Sequence, residues 1–107
     1  KPAEAEALER EVLAAGREVL GPRHPFTLTT MNNLAMTLGE LGKPAEAEAM
    51  QREVLAAFHE VLGPRHPSTL TTMGNLASTL RELGKPAEAE ALEREVLAAG
   101  REVLGPR

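Results

Sequence analysis

The chain has no cysteine, tryptophan or tyrosine and only two phenylalanines, and all of its sixteen acidic residues are glutamate, none aspartate. Lack of cysteine removes disulfides and thiolate chemistry, and it fits a reducing compartment. With so few aromatics the core has to be built from leucine, valine, alanine and methionine, a set that suits helices meeting through small, regular contacts. An acidic complement made wholly of glutamate agrees with helix interiors, where glutamate is the better former; β structure finds little support. No stretch approaches the ~18 consecutive apolar residues of a membrane span. Lys1 opens directly into patterned sequence, without a charged, apolar and cleavable leader. The expectation is a cytoplasmic protein with no membrane partner. Its net charge of −4 leaves Lys and Arg evenly dispersed, so no basic stripe awaits a phosphate backbone and nucleic acid is not an expected partner.

What is present is a repeat. The block Lys-Pro-Ala-Glu-Ala-Glu-Ala begins at Lys1, Lys43 and Lys85, a spacing of 42 residues. Aligning 1–42 with 43–84 leaves differences only at 8/50, 9/51, 16/58, 17/59, 26/68, 32/74, 36/78 and 39/81. A unit this short cannot bury a hydrophobic face alone, so the copies must stack on their neighbours. Gly-Lys-Pro at Gly42 and Gly84, and Gly-Pro-Arg-His-Pro at Gly21 and Gly63, punctuate the unit into two helices. Glycine ends one helix in the left-handed region, and proline occupies the first turn of the next, where its missing N–H is no loss. The signals predict helices over 2–20, 26–41, 44–62, 68–83 and 86–104, in the order B-A-B-A-B. They form one array over 1–107, divided into a partial unit 1–23 (helix B alone) and units 24–65 and 66–107. In helix A, Leu28, Met31, Leu34, Ala35, Leu38 and Leu41 make one apolar stripe. In helix B, Ala47, Met50, Val54, Ala57, Val61 and Leu62 do the same, with Glu46, Arg52, Glu53 and Glu60 pointing away.

Asn33-Leu34-Ala35, Leu38, Gly42-Lys43, Glu46-Ala47-Glu48, Leu62-Gly63 and His66-Pro67-Ser68-Thr69-Leu70 together resemble the tetratricopeptide repeat of the kinesin light chain type. The likeness covers the whole chain. It implies an all-α, right-handed α-solenoid superhelix of antiparallel helix pairs, with close helix approach at Ala35 and Ala47 and at Ala77 and Ala89. Met31, Met73, Pro44 and Pro86 depart from the usual pattern, and the unit is longer than the common ~34 residues, by about one turn on each helix. Near-identical units of this kind are also similar to the C-terminal arrays of NB-ARC-type signalling proteins.

The resemblance implies that A helices line the concave side. That leaves Thr29, Asn32, Asn33, Met36, Gly39 and Glu40 for a groove, followed by Thr71, Gly74, Asn75, Ser78, Arg81 and Glu82. The differences at 32/74, 36/78 and 39/81 fall on one face of helix A. Either each unit offers a different binding surface on a constant frame, or exposed positions vary because nothing holds them. Asn33 and Asn75 are the leading candidates: an amide offers donors and an acceptor to an extended peptide main chain, and in peptide-binding relatives asparagines placed immediately before Leu-Ala do this. Arg81, Glu40 and Glu82 would add charge selectivity. His24 and His66 sit in identical loops and read as helix-start or packing residues. No His-x-x-x-His or Glu-x-x-His pair exists, the Glu46/Glu48 and Glu88/Glu90 doublets diverge, and Ser68 and Ser78 lack an activating base. No catalytic residue, metal or cofactor is expected. The sequence points to a non-catalytic scaffold that binds a peptide or protein segment. The alternative is a structural spacer that self-associates end to end, through stripes that include Leu8, Val12, Leu92, Val96 and Val103.

Overall fold

A computed structural model describes residues 1–104, with side chains as far as Glu102. Among the described residues every regular element is an α-helix: α1 (Pro2–Val19), α2 (Pro25–Glu40), α3 (Pro44–Val61), α4 (Pro67–Glu82) and α5 (Pro86–Leu104). The B helices are α1, α3 and α5; the A helices are α2 and α4. No described helix is long and apolar enough to cross a membrane.

The boundaries follow from local chemistry. Gly42, at φ 77°, closes α2, and the Lys43 N–H donates to the Leu38 carbonyl at 2.8 Å, the outer bond of a Schellman cap. The A helices begin one residue earlier than the sequence suggests, at Pro25 and Pro67. The reason is the preceding histidine: Nδ1 of His24 accepts the Phe26 N–H at 3.1 Å, and Nδ1 of His66 accepts the Ser68 N–H at 3.0 Å. Each imidazole is thus an N-cap, satisfying a donor that the first helical turn leaves free.

Consecutive helices pack against one another, and the two A helices also approach each other. Among the described residues, the backbones of α1 and α3, and of α3 and α5, do not come together in this way. The result is an array of 43 × 32 × 19 Å. Its core repeats with the sequence. Leu34, Ala35, Leu38 and Ala47 are fully buried, and Leu76, Ala77, Leu80 and Ala89 are their counterparts. The alanines leave no room for a larger side chain between A and B.

Two parts of the predicted stripes change. On α3 the buried set takes in Gln51 and Phe58, while Val61, at the helix end, is 45% exposed. Threonines fill much of the A-helix interior. Thr30, Thr37, Thr72 and Thr79 are buried there because each hydroxyl donates to the carbonyl four residues back, at 2.9–3.2 Å.

The glutamates and arginines of the B helices do not simply face water. Arg10 of α1 bonds Glu6 on its own helix and Glu46 of α3 at 3.1 Å; Arg52 of α3 bonds Glu48 at 2.8 Å and Glu88 of α5 at 2.7 Å. Lys85 reaches back to Glu48 at 3.4 Å. Glu46 therefore looks back along the array and Glu48 forward, and the bridges span B helices whose backbones stay apart. Such exposed pairs are worth about 0–1 kcal/mol each. Their contribution lies in fixing the register of one unit on the next.

Candidate functional site

A cleft of roughly 190 Å³ opens between the two A helices. Met36, Gly39 and Glu40 of α2 form one wall; Asn75, Ser78 and Glu82 of α4 form the other. Ala35 and Thr79 lie between them, and Gln51 of α3 closes the floor. A Cβ added to Gly39 would meet nothing within 4 Å, so the missing side chain leaves that wall open.

Six residues singled out from the sequence thus meet at one place: Met36, Gly39, Glu40, Asn75, Ser78 and Glu82. Thr29, Thr71 and Asn33 are exposed on the A helices outside the cleft lining. Asn33 occupies on α2 the position that Asn75 holds on α4. Asn32 is partly buried, and its Oδ1 has no hydrogen-bond partner among the described residues. Arg81 is engaged elsewhere. Its Nη2 donates to Glu93 of α5 and its Nε reaches the same carboxylate at 3.3 Å, a contact that holds Glu93 below the usual carboxylate range and Arg81 above its ordinary value.

Gln51 was not legible as a site residue. It is 1% exposed, yet its Oε1 finds no partner among the described residues. Leaving such a group unpaired costs about 1–3 kcal/mol. The available signal was its place among the differences between copies, at 9/51. Its counterpart one unit on is Glu93, and the counterpart of Gly39 is Arg81. In one copy, then, a glycine faces a buried amide, and in the next an arginine–glutamate pair stands at the same two places.

The lining carries no lysine, arginine or histidine, and two carboxylates stand at its rim. Among the described residues no group of three or more His, Cys, Asp or Glu side chains is placed to hold a metal ion. What the cleft offers is hydrogen bonding and negative charge.

Helix pairs stacked at a constant repeat, with alanine at each close approach, define an all-α solenoid of interaction-repeat type. Residues 1–58 and 41–102 each match the family profile of the tetratricopeptide repeat, and the chain belongs to that family. Among solved structures it is similar to the nearly identical TPR-like repeats of a protein described as a Podosopora anserina kinesin light chain, with a TM-score of 0.90 and 29% identity over 97% of this chain and 49% of that one. BtubC (BKLC) from P. vanneervenii shares the fold, with a TM-score of 0.88 and 22% identity over 94% of this chain and 40% of that one. The chain therefore spans about half the length, or less, of these solved relatives. No curated protein sequence matches it significantly. Repeats of this family generally mediate protein–protein interaction and are typically non-catalytic.

Proposed function

We propose that the chain is a scaffold whose A-helix face receives an extended peptide or protein segment. The observation that carries this reading is the spacing of the helices. Among the described residues, A helices approach one another while the backbones of the B helices stay apart and are tied through long side chains, and an array with that asymmetry curves towards its A helices. The open cleft between α2 and α4 lies on the same side, with Asn75 in its wall and Asn33 one unit before it. Units 24–65 and 66–107, each an A helix followed by a B helix, then present equivalent asparagines about one repeat apart, suited to holding a main chain at several points. The test is a peptide selected on the intact chain by display, with its affinity measured by calorimetry. Asn33→Ala combined with Asn75→Ala should keep the helical circular dichroism and weaken binding at least tenfold. Unchanged affinity would remove the asparagines, and with them this reading, from recognition.

A second reading, self-association of the array, draws on one observation: Leu8 is 62% and Leu97 56% exposed on the two outermost helices, and exposed apolar stripes associate. Val103, also expected in such a stripe, lies outside the described side chains. Light scattering that gives a strict monomer at millimolar concentration eliminates this reading.

A further inference from the structure

We infer that the cleft between α2 and α4 is a pocket for an alkyl cation, the side chain of a lysine or arginine in the bound segment. This rests on the groove reading above and gives it a chemistry. Three features point the same way. The floor holds the Gln51 amide, which is shielded from water and has an unpartnered carbonyl oxygen. The rim holds two carboxylates, Glu40 and Glu82, one from each A helix, while the lining contains no cation to neutralise them. The walls in between are short or flexible: Gly39, Ala35 and Met36. A long aliphatic stem passes such walls at little cost, and the thioether of Met36 adapts to it.

Two of the nearby donors are already engaged. The Thr79 hydroxyl already donates to the Asn75 carbonyl at 3.2 Å, and Arg81, whose helix lines the cleft, is held by Glu93 outside it. The remaining donors, the Gln51 and Asn75 amides and the Ser78 hydroxyl, each carry an acceptor as well, while Glu40 and Glu82 only accept, so acceptors outnumber donors and an ammonium or guanidinium group, which brings donors only, fits that balance. The pocket belongs to this copy of the unit in particular. Where glycine and glutamine stand at 39 and 51, the next copy carries Arg81 and Glu93, which supply a cation and its partner internally.

The experiment uses the intact chain and three probes: N-acetyl-lysine amide, N-acetyl-arginine amide and, as an uncharged counterpart, N-acetyl-norleucine amide. In amide-resolved NMR titrations, at least one cationic probe should shift the Gln51 side-chain amide together with the Gly39 and Ser78 backbone amides, in a saturable way, and norleucine should not. Equal shifts from norleucine, or none from either cation, overturn the proposal. Gln51→Met should weaken the cationic probe at least fivefold without lowering the melting temperature, because it removes a buried unpaired group; unchanged binding overturns the proposal. Should Gln51→Met disturb the fold, Glu40→Gln with Glu82→Gln, both on the exposed rim, should weaken the same probe at least threefold, and unchanged binding is again fatal. Failure of this proposal is separable from failure of the groove. A displayed peptide that loses affinity in the double asparagine variant, yet contains neither lysine nor arginine, sinks the cation pocket and leaves the groove standing.

Discussion

Replacing Gly16 by alanine is expected to stabilise the protein, although a Cβ there would stand 3.0 Å from the Thr27 hydroxyl oxygen and 3.7 Å from the Thr27 Cβ. Taken alone, those distances forecast overpacking, which costs about 1–3 kcal/mol. The chain contains the counter-example. At the equivalent place in the next unit stands Phe58, whose own Cβ needs that space, and the equivalent Thr69 hydroxyl donates to the Gly63 carbonyl at 2.8 Å. Thr27 has the matching acceptor in Gly21 of an identical loop, but its hydroxyl is buried without a partner. Alanine at 16 should push Thr27 into the arrangement that Thr69 already has. The gain combines the helix preference of alanine over glycine, about 0.5–1 kcal/mol, with a recovered hydrogen bond, about 0.5–1.5 kcal/mol. Urea denaturation should show a rise of about 1–2.5 kcal/mol, or roughly 4–8 °C in Tm for each kcal/mol. Gly74→Ala is the control, since a Cβ there meets nothing within 4 Å and only the helix preference applies. Thr27→Val completes the cycle: neutral or stabilising in the parent, it should cost stability in the Gly16→Ala background. A loss on Gly16→Ala, or the absence of coupling to Thr27, refutes the argument.

Phe58 is 2% exposed and completes the core cluster that holds Leu28, Met31 and Leu34, so Phe58→Ala should cost about 3–5 kcal/mol; a loss under 1 kcal/mol in urea denaturation would mean that the neighbouring helices close over the gap. The Arg52 hydrogen bond, aided by the charge of Lys85, holds Glu48 below the usual carboxylate range. A depressed folded-state pKa makes that stabilisation complete above the ordinary glutamate value of ~4.3 and removes it as pH falls through the lower folded value. Tm should therefore drop on acidification from pH 5 towards 3, and Glu48→Gln should lower Tm at pH 7 while flattening the profile; parallel profiles for the two proteins would show that the bridge contributes nothing.

Helix ends were legible because they are written locally. Gly42 and Gly84 both sit at φ 77°, and a glycine followed by lysine and proline has little else to encode. His24 and His66 read as helix-start or packing residues from their loops, but the exact start at Pro25 and Pro67 was not legible, because a histidine cap works through Nδ1 and the usual capping residues are serine, threonine, asparagine and aspartate. The apolar stripe of helix A was legible from its period alone. Its buried threonines were not, because their burial depends on hydroxyls folding back onto their own helix, which hydropathy does not register. The bridges from Arg10 to Glu46 and from Arg52 to Glu88 are a different case. Their partners lie 36 residues apart, so they exist only once one unit has stacked on the next, and no local pattern announces them.

Some of the differences between copies look scattered along the sequence but are not independent in space. Positions 39/81 and 51/93 lie on different helices, yet they change together: Gly39 with a buried Gln51, Arg81 with Glu93. Variation at an unconstrained surface has no reason to be matched across two helices. An arginine at 39 would need a carboxylate nearby, and a glutamate buried at 51 would need a cation; each copy avoids one half of the mismatch by changing both. The same logic ties Gly16 and Phe58 to the different settings of Thr27 and Thr69. These two matched sets therefore mark places where the stacked helices touch, and the cleft at Gly39 exists because one of them was resolved with an amide and empty space in place of an ion pair.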